Sequence, residues 1–247
     1  MENRNAIVTG ARRGIGREVV EVLAEKGMNV WACARCKGEA FEADMRALSE
    51  KYNVWIKPVY FDLADENEVK SKIQEILKEK QTVDVLVNNA GVSYGGTMVM
   101  TPLSKLKEVF DVNFHAQIQI MQLVARTMMR QKNGVIINVA SVGGIETAPG
   151  YLAYGSSKAA LIYATKTISH ELGEYNIRVN AIAPGLTDTD MGHYKSDAEM
   201  QKIIGRSSLH RVAEPREIAN CIAFLASDSA SFITGQVMVA DGGRLWV

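Results

Sequence analysis

Tyr154-Gly155-Ser156-Ser157-Lys158 sets a phenol and an amine four positions apart, a pairing suited to moving a proton. On a helix, positions i and i+4 share a face, so the ammonium stands beside the phenol. A free tyrosine ionises at a pH of about 10, and a neighbouring positive charge stabilises the phenolate and brings that value toward working pH. Such a Y-x-x-x-K pattern is common by chance, and it gains meaning only from what surrounds it.

A second constellation lies near the start of the chain. Thr9-Gly10-Ala11-Arg12-Arg13-Gly14-Ile15-Gly16 follows a short β-branched run and precedes a helical pattern. Glycines there permit positive φ and let a pyrophosphate approach backbone N–H groups, and the helix N-terminus adds a favourable dipole. The spacing is G-x-x-x-G-x-G, distinct from the G-x-G-x-x-G of other dinucleotide folds. At the end of the second strand, where an acidic residue would accept from the ribose 2′-hydroxyl of NAD, the chain has Ala34 followed by Arg35. Arg35 and Arg13 are suited to a 2′-phosphate through charge-assisted hydrogen bonds, which favours NADP(H) over NAD(H). The alternative is a pair of solvated surface arginines. Asp62, after the third strand, is placed either to accept from the adenine amino group or to cap a turn.

Elements that would position these residues are legible in the pattern. Ala6 to Val8, Val30 to Ala34, Val54 to Phe61, Val83 to Val87, Val135 to Val139, Ile177 to Ala183 and Val237 to Ala240 read as buried strands. Between them, Arg17 to Lys26, Val69 to Lys80, Ala116 to Arg130, Ala159 to Leu172 and Arg216 to Ala226 carry apolar residues at helical spacing. This alternation predicts an α/β fold: a single-domain, doubly wound parallel sheet of the Rossmann kind over residues 1–247, with helices on both faces. Ligands then bind beyond the carboxyl ends of the strands. The segments Thr9 to Gly16, Arg35 to Gly38, Asn88 to Gly91, Ser141 to Ile145 and Pro184 to Thr189 should therefore share one edge.

Composition narrows the function. Lys plus Arg and Asp plus Glu are both 28, so no overall field draws the chain to nucleic acid or to an anionic membrane. No apolar run approaches a membrane span of about 18 residues or a signal-peptide core, so a cytoplasmic location is expected. Cys33, Cys36 and Cys221 read as reduced thiols, and His115, His170, His193 and His210 lack ligand spacing, so no metal site is expected. Met98, Met100, Met128 and Met129 read as core or groove fillers. Ser141 has no G-x-S-x-G elbow around it and is not a hydrolase nucleophile.

Taken together, Thr9-Gly-x-x-x-Gly14-x-Gly16, Asn88-Asn89-Ala90-Gly91, Asn113, Ser141, Tyr154-x-x-x-Lys158, Pro184-Gly185 and Asp241-Gly242-Gly243 resemble the short-chain dehydrogenase/reductases in order and spacing, along essentially the whole chain. That resemblance implies roles. Ser141 would donate to a substrate carbonyl oxygen, Tyr154 would protonate it, Lys158 would hold the nicotinamide ribose and tune Tyr154, and Asn113 would anchor a water linking Lys158 to solvent. Gly10, Arg12, Arg13, Gly14, Ile15, Gly16, Arg35, Asp62, Leu63, Asn89, Ala90, Gly91, Tyr154, Lys158, Pro184, Gly185 and Thr187 would line the dinucleotide.

Within the family the general likeness is to 3-oxoacyl-carrier-protein reductases, on Met128 to Gly134, Leu225 to Asp228 and Ile233 to Gly235. Val92-Ser93-Tyr94-Gly95-Gly96 departs from that group, and Tyr175 stands where carrier-dependent members present a basic residue, which does not favour carrier-protein docking. The resemblance implies an NADPH-dependent reductase of a ketone or 3-oxoacyl thioester. Alternatives are a dehydrogenase of a sugar-derived or other secondary alcohol and a catalytically silent dinucleotide-binding regulator. A homotetramer packed through Ala116 to Arg130 and Ala159 to Leu172 is also implied.

Overall fold

Residue 6 points to one side of the first strand and residue 7 to the other, and this period of two sorts the core into two layers. Ala6 and Val8 join Val19, Leu23, Met45, Ile218 and Ile222 on one face. Ile7 joins Ile73, Ile120, Val124, Met128 and Leu161 on the other. Every residue of this strand is buried, as expected of a parallel strand covered on both sides.

The computed structural model describes residues 1, 3–191 and 197–244. Its strands are β1 (Asn5–Thr9), β2 (Asn29–Ala34), β3 (Ile56–Tyr60), β4 (Val85–Asn88), β5 (Gly134–Val139), β6 (Ile177–Pro184) and β7 (Val237–Ala240). Its α-helices are α1 (Gly14–Glu25), α2 (Glu39–Tyr52), α3 (Glu66–Lys78), α4 (Leu103–Phe110), α5 (Ala116–Gln131), α6 (Leu152–Leu172), α7 (Asp197–Ile204) and α8 (Pro215–Ala226). The strands form one seven-stranded parallel sheet in the order β3-β2-β1-β4-β5-β6-β7. Strand order reverses between β1 and β4, and a doubly wound sheet opens its ligand crevice at such a switch point. The expected fold class is thus the one observed. His193 lies outside the described residues.

Helix α2 goes beyond the sequence reading, although Phe41, Met45 and Leu48 give it a buried stripe. Helix α6 starts at Leu152 and so joins the helical Tyr154 to Lys158 to the apolar stretch from Ala159. Its first turns hold Gly155 and two serines and are fixed by packing rather than by propensity. Met128 is core, whereas Met98 and Met100 are each 72% exposed in a short 3₁₀ turn.

Candidate active site

The glycine-rich turn after β1 is built for close approach. Gly10 and Gly14 have φ of +69° and +57°, and a Cβ on Gly16 would lie 2.1 Å from the Gly10 carbonyl oxygen. Arg13, the N-cap of α1, makes no side-chain cap, and no acidic residue occupies the first turn. The leading N–H groups of α1 therefore have neither an intrahelical acceptor nor a capping side chain, the arrangement that receives an anion. Sequence reasoning missed the role of Thr9. Its hydroxyl accepts from the backbone N–H of Asn89 and Ala90 at 3.0 and 3.1 Å, and the Asn89 amide donates to the Thr9 carbonyl at 2.9 Å. These bonds fasten Asn89-Ala90-Gly91 to the phosphate turn.

At the end of β2, Ala34 is buried and Arg35 is exposed. The two loop arginines part company. Arg12 extends toward α2, where a Cβ on Gly38 would meet its Nη2 at 3.1 Å. Arg13 is ion-paired with Asp190 at 2.6 Å on the segment after β6. Thr189, next to Asp190, packs on Gly14. Arg12, rather than Arg13, leans toward the segment that contains Arg35. Asp62 accepts from the Ala64 N–H at 2.9 Å as a turn residue, and Leu63 packs on the core. Pro184 ends β6, the Gly185 N–H donates to Ala240 at 2.9 Å, and Thr187 is buried with its hydroxyl donating to the Gly185 carbonyl.

Lys158 and Tyr154 project from α6 on the carboxyl side of β5. The Lys158 Nζ lies 5.9 Å from the Tyr154 ring centroid and donates to the Val139 carbonyl at 2.8 Å. Its burial pushes the ammonium down to about 8 from an ordinary 10.5. Gly91 comes close as well: a Cβ there would stand 3.3 Å from Nζ.

Ser141 caps a 3₁₀ turn, Val142–Gly144, and its Oγ accepts from the Gly143 N–H at 3.1 Å, which leaves the hydroxyl proton to donate elsewhere. This turn meets α6 backbone to backbone. A Cβ on Gly155 would lie 2.6 Å from the Gly143 carbonyl oxygen, and one on Gly144 2.8 Å from the Ala159 nitrogen. Glycine at these positions sets the distance between Ser141 and the Tyr154 helix. Behind them, Asn88 donates to Asn138 and Asn138 to Thr165, both at 2.9 Å, tying β4, β5 and α6 through a buried polar network.

Asn113 sits in a π-helical turn, Asp111–His115, between α4 and α5. Such turns often mark functional sites. Its buried amide donates to the Val92 carbonyl at 2.9 Å and to Ser157 Oγ at 3.0 Å, and its Oδ1 accepts from the Val92 N–H at 2.8 Å. The carboxamide thus clamps the segment that follows Gly91 onto α6.

The structure therefore brings Ser141, Tyr154, Lys158, Asn113 and the glycine turn to one edge of the sheet. The sequence pattern described as Enoyl-(Acyl carrier protein) reductase matches residues 10–244. Over 243 residues the chain is 38% identical to a 3-oxoacyl-[acyl-carrier-protein] reductase of Chlamydia trachomatis, covering 98% of this chain and 97% of that protein. A protein of the same description from Staphylococcus epidermidis is 38% identical over 244 residues, covering 98% of each. A solved short chain dehydrogenase/reductase family protein superposes with a TM-score of 0.84 at 30% identity, covering 98% of this chain and 97% of that one. The chain belongs to the short-chain dehydrogenase/reductase family. Among the described residues of this family member, no group of three or more His, Cys, Asp or Glu is arranged to hold a metal ion. No described helix is long and apolar enough to cross a membrane.

Proposed function

We propose that this short-chain dehydrogenase/reductase reduces a ketone or 3-oxoacyl thioester with NADPH. The observation that carries the reading is the buried Lys158 ammonium beside the Tyr154 ring, on a helix pressed against the Ser141 turn. The uncapped α1 amides fit a pyrophosphate, Arg35 and Arg12 fit a 2′-phosphate, and Ala34 offers no carboxylate to a free ribose hydroxyl. When bound, the dinucleotide supplies the hydride.

The chain's own residues do the rest. The Ser141 hydroxyl donates to the substrate oxygen and stabilises its growing negative charge. Tyr154 transfers its phenolic proton to that oxygen and is left as phenolate, which the Lys158 ammonium stabilises. Lys158 has two further N–H groups beside the one held by Val139, and these suit the ribose hydroxyls. The Asn113 carboxamide, held by Val92 and Ser157, would anchor the water that links Lys158 to solvent.

Carrier-protein docking is not part of this proposal, because Tyr175 stands where carrier-dependent members present a basic residue. The test is a panel of ketones, 3-oxoacyl thioesters and sugar-derived alcohols, with NADPH or NADH turnover followed optically. Reduction of a 3-oxo substrate with NADPH preferred is the expected result. Activity confined to alcohols with NAD would overturn it.

A further inference from the structure

The loop leaving Ser141 is held at its far end by charge. Glu146 Oε1 lies 2.5 Å from Arg244 Nη2, with only 17% and 11% of the two side chains exposed. Glu146 belongs to the serine turn, since its N–H donates to the Val142 carbonyl at 2.9 Å. Arg244 follows Asp241-Gly242-Gly243 and forms an antiparallel bridge with Ser207, just after α7. The Ser207 and Ser208 hydroxyls donate to the Gly242 and Gly243 carbonyls at 2.9 Å. One ion pair therefore joins the serine turn to the C-terminal segment and, through it, to the chain following α7.

Fold stability is a poor explanation for such a pair. Desolvating two charges is costly, and an apolar pair of similar volume often packs as well or better. The contact is also charge against charge: Glu146 Oε1 and Arg244 Nε are buried without an aligned hydrogen-bond partner. On its inner side the serine turn is located sterically, by the glycine contacts with α6. At its exit the location comes from Glu146 and Arg244.

We propose that Glu146 and Arg244 are positioning residues that fix Ser141 for its hydrogen bond to the substrate oxygen. The proposal rests on the carbonyl-reduction reading, in which Ser141 acts on the reacting oxygen and a small displacement of it costs turnover. Glu146→Gln removes the charge and keeps the shape. At saturating NADPH it should lower kcat by ~10-fold while leaving the NADPH Kd within about twofold, because Ser141 acts on the reacting oxygen and not on the cofactor. The Gly143 and Gly144 N–H groups, bonded to the Ser141 side chain and carbonyl, should exchange with solvent ~10-fold faster.

The charge-reversed double variant, Glu146→Arg with Arg244→Glu, should recover both properties, and Arg244→Lys should retain most of them. Unchanged kcat and exchange in Glu146→Gln would overturn the proposal. So would a folded double variant that recovers neither, or, if that variant does not fold, an Arg244→Lys protein as impaired as Glu146→Gln. Should the wild type reduce no carbonyl, the functional reading fails, and amide exchange still decides whether the pair locates the turn.

Discussion

Consider Lys158→Met, which keeps the side chain's length and removes its charge. Burial holds the Lys158 ammonium at about 8 against an ordinary 10.5. At about 1.4 kcal/mol for each unit, carrying this proton in the fold costs roughly 3 kcal/mol. Met also forfeits the hydrogen bond to Val139, worth about 1 kcal/mol, or somewhat more if that carbonyl is left unpaired. The variant should therefore be more stable than wild type by about 1–2 kcal/mol at neutral pH while losing turnover.

The pH dependence has a definite sign. Below about 8 both folded and unfolded wild type carry the proton, and the full cost is present. Between about 8 and 10.5 only the unfolded chain binds it, so wild-type stability rises with pH and the variant's advantage shrinks. Urea unfolding of both cofactor-free proteins across this range measures the difference, and subtraction cancels groups that titrate alike in both. A difference that stays flat, or that grows with pH, refutes the reasoning.

Tyr154→Phe should lower kcat by about 10²-fold or more with the NADPH Kd nearly unchanged; near-normal turnover in a stopped-flow assay would remove Tyr154 from the acid's role. Gly16→Ala places a methyl 2.1 Å from the Gly10 carbonyl oxygen and 2.4 Å from the Asn89 amide nitrogen, so a fluorescence titration should show loss of NADPH binding, and ordinary affinity would contradict the geometry. Arg35→Ala should weaken NADPH by roughly 10- to 150-fold and scarcely touch NADH, with Arg12→Ala acting in the same direction; equal weakening of both cofactors counts against the 2′-phosphate assignment. Light scattering should give a tetramer packed through α5 and α6, where Tyr163 is 74% exposed, and a monomer at micromolar concentration would refute that packing.

Strands were legible because a doubly covered parallel strand must be apolar along its length, as Ala6-Ile7-Val8 shows. The edge that gathers the loops followed from topology alone. What escaped depends on contacts distant in sequence. Nothing in Arg12-Arg13 reveals that Asp190 takes the second while the first turns to Gly38. Nor does the one-dimensional pattern mark the π turn that aims Asn113, since the extra residue in that turn is set by tertiary packing. Tyr154 to Lys158 is helical as its spacing predicts, yet Tyr154-Gly155-Ser156-Ser157 carries no apolar stripe; contact with the serine turn supplies the stability that propensity withholds.

That backbone contact bears on how such an enzyme acquires a new substrate. A side chain at Gly144 or Gly155 would overlap backbone, and one at Gly143 would press on the Tyr151 ring, so drift at these positions separates Ser141 from Tyr154 before it can reshape specificity. Room for variation lies instead on the segment beyond Val92, whose Gly96 bridges Tyr151 at the start of the catalytic helix and whose Met98, Val99 and Met100, with Leu103 after them, stand in solvent. A mutant library aimed at substrate scope should spare those three glycines and randomise residues 93–103, altering what is admitted without disturbing what is done to it.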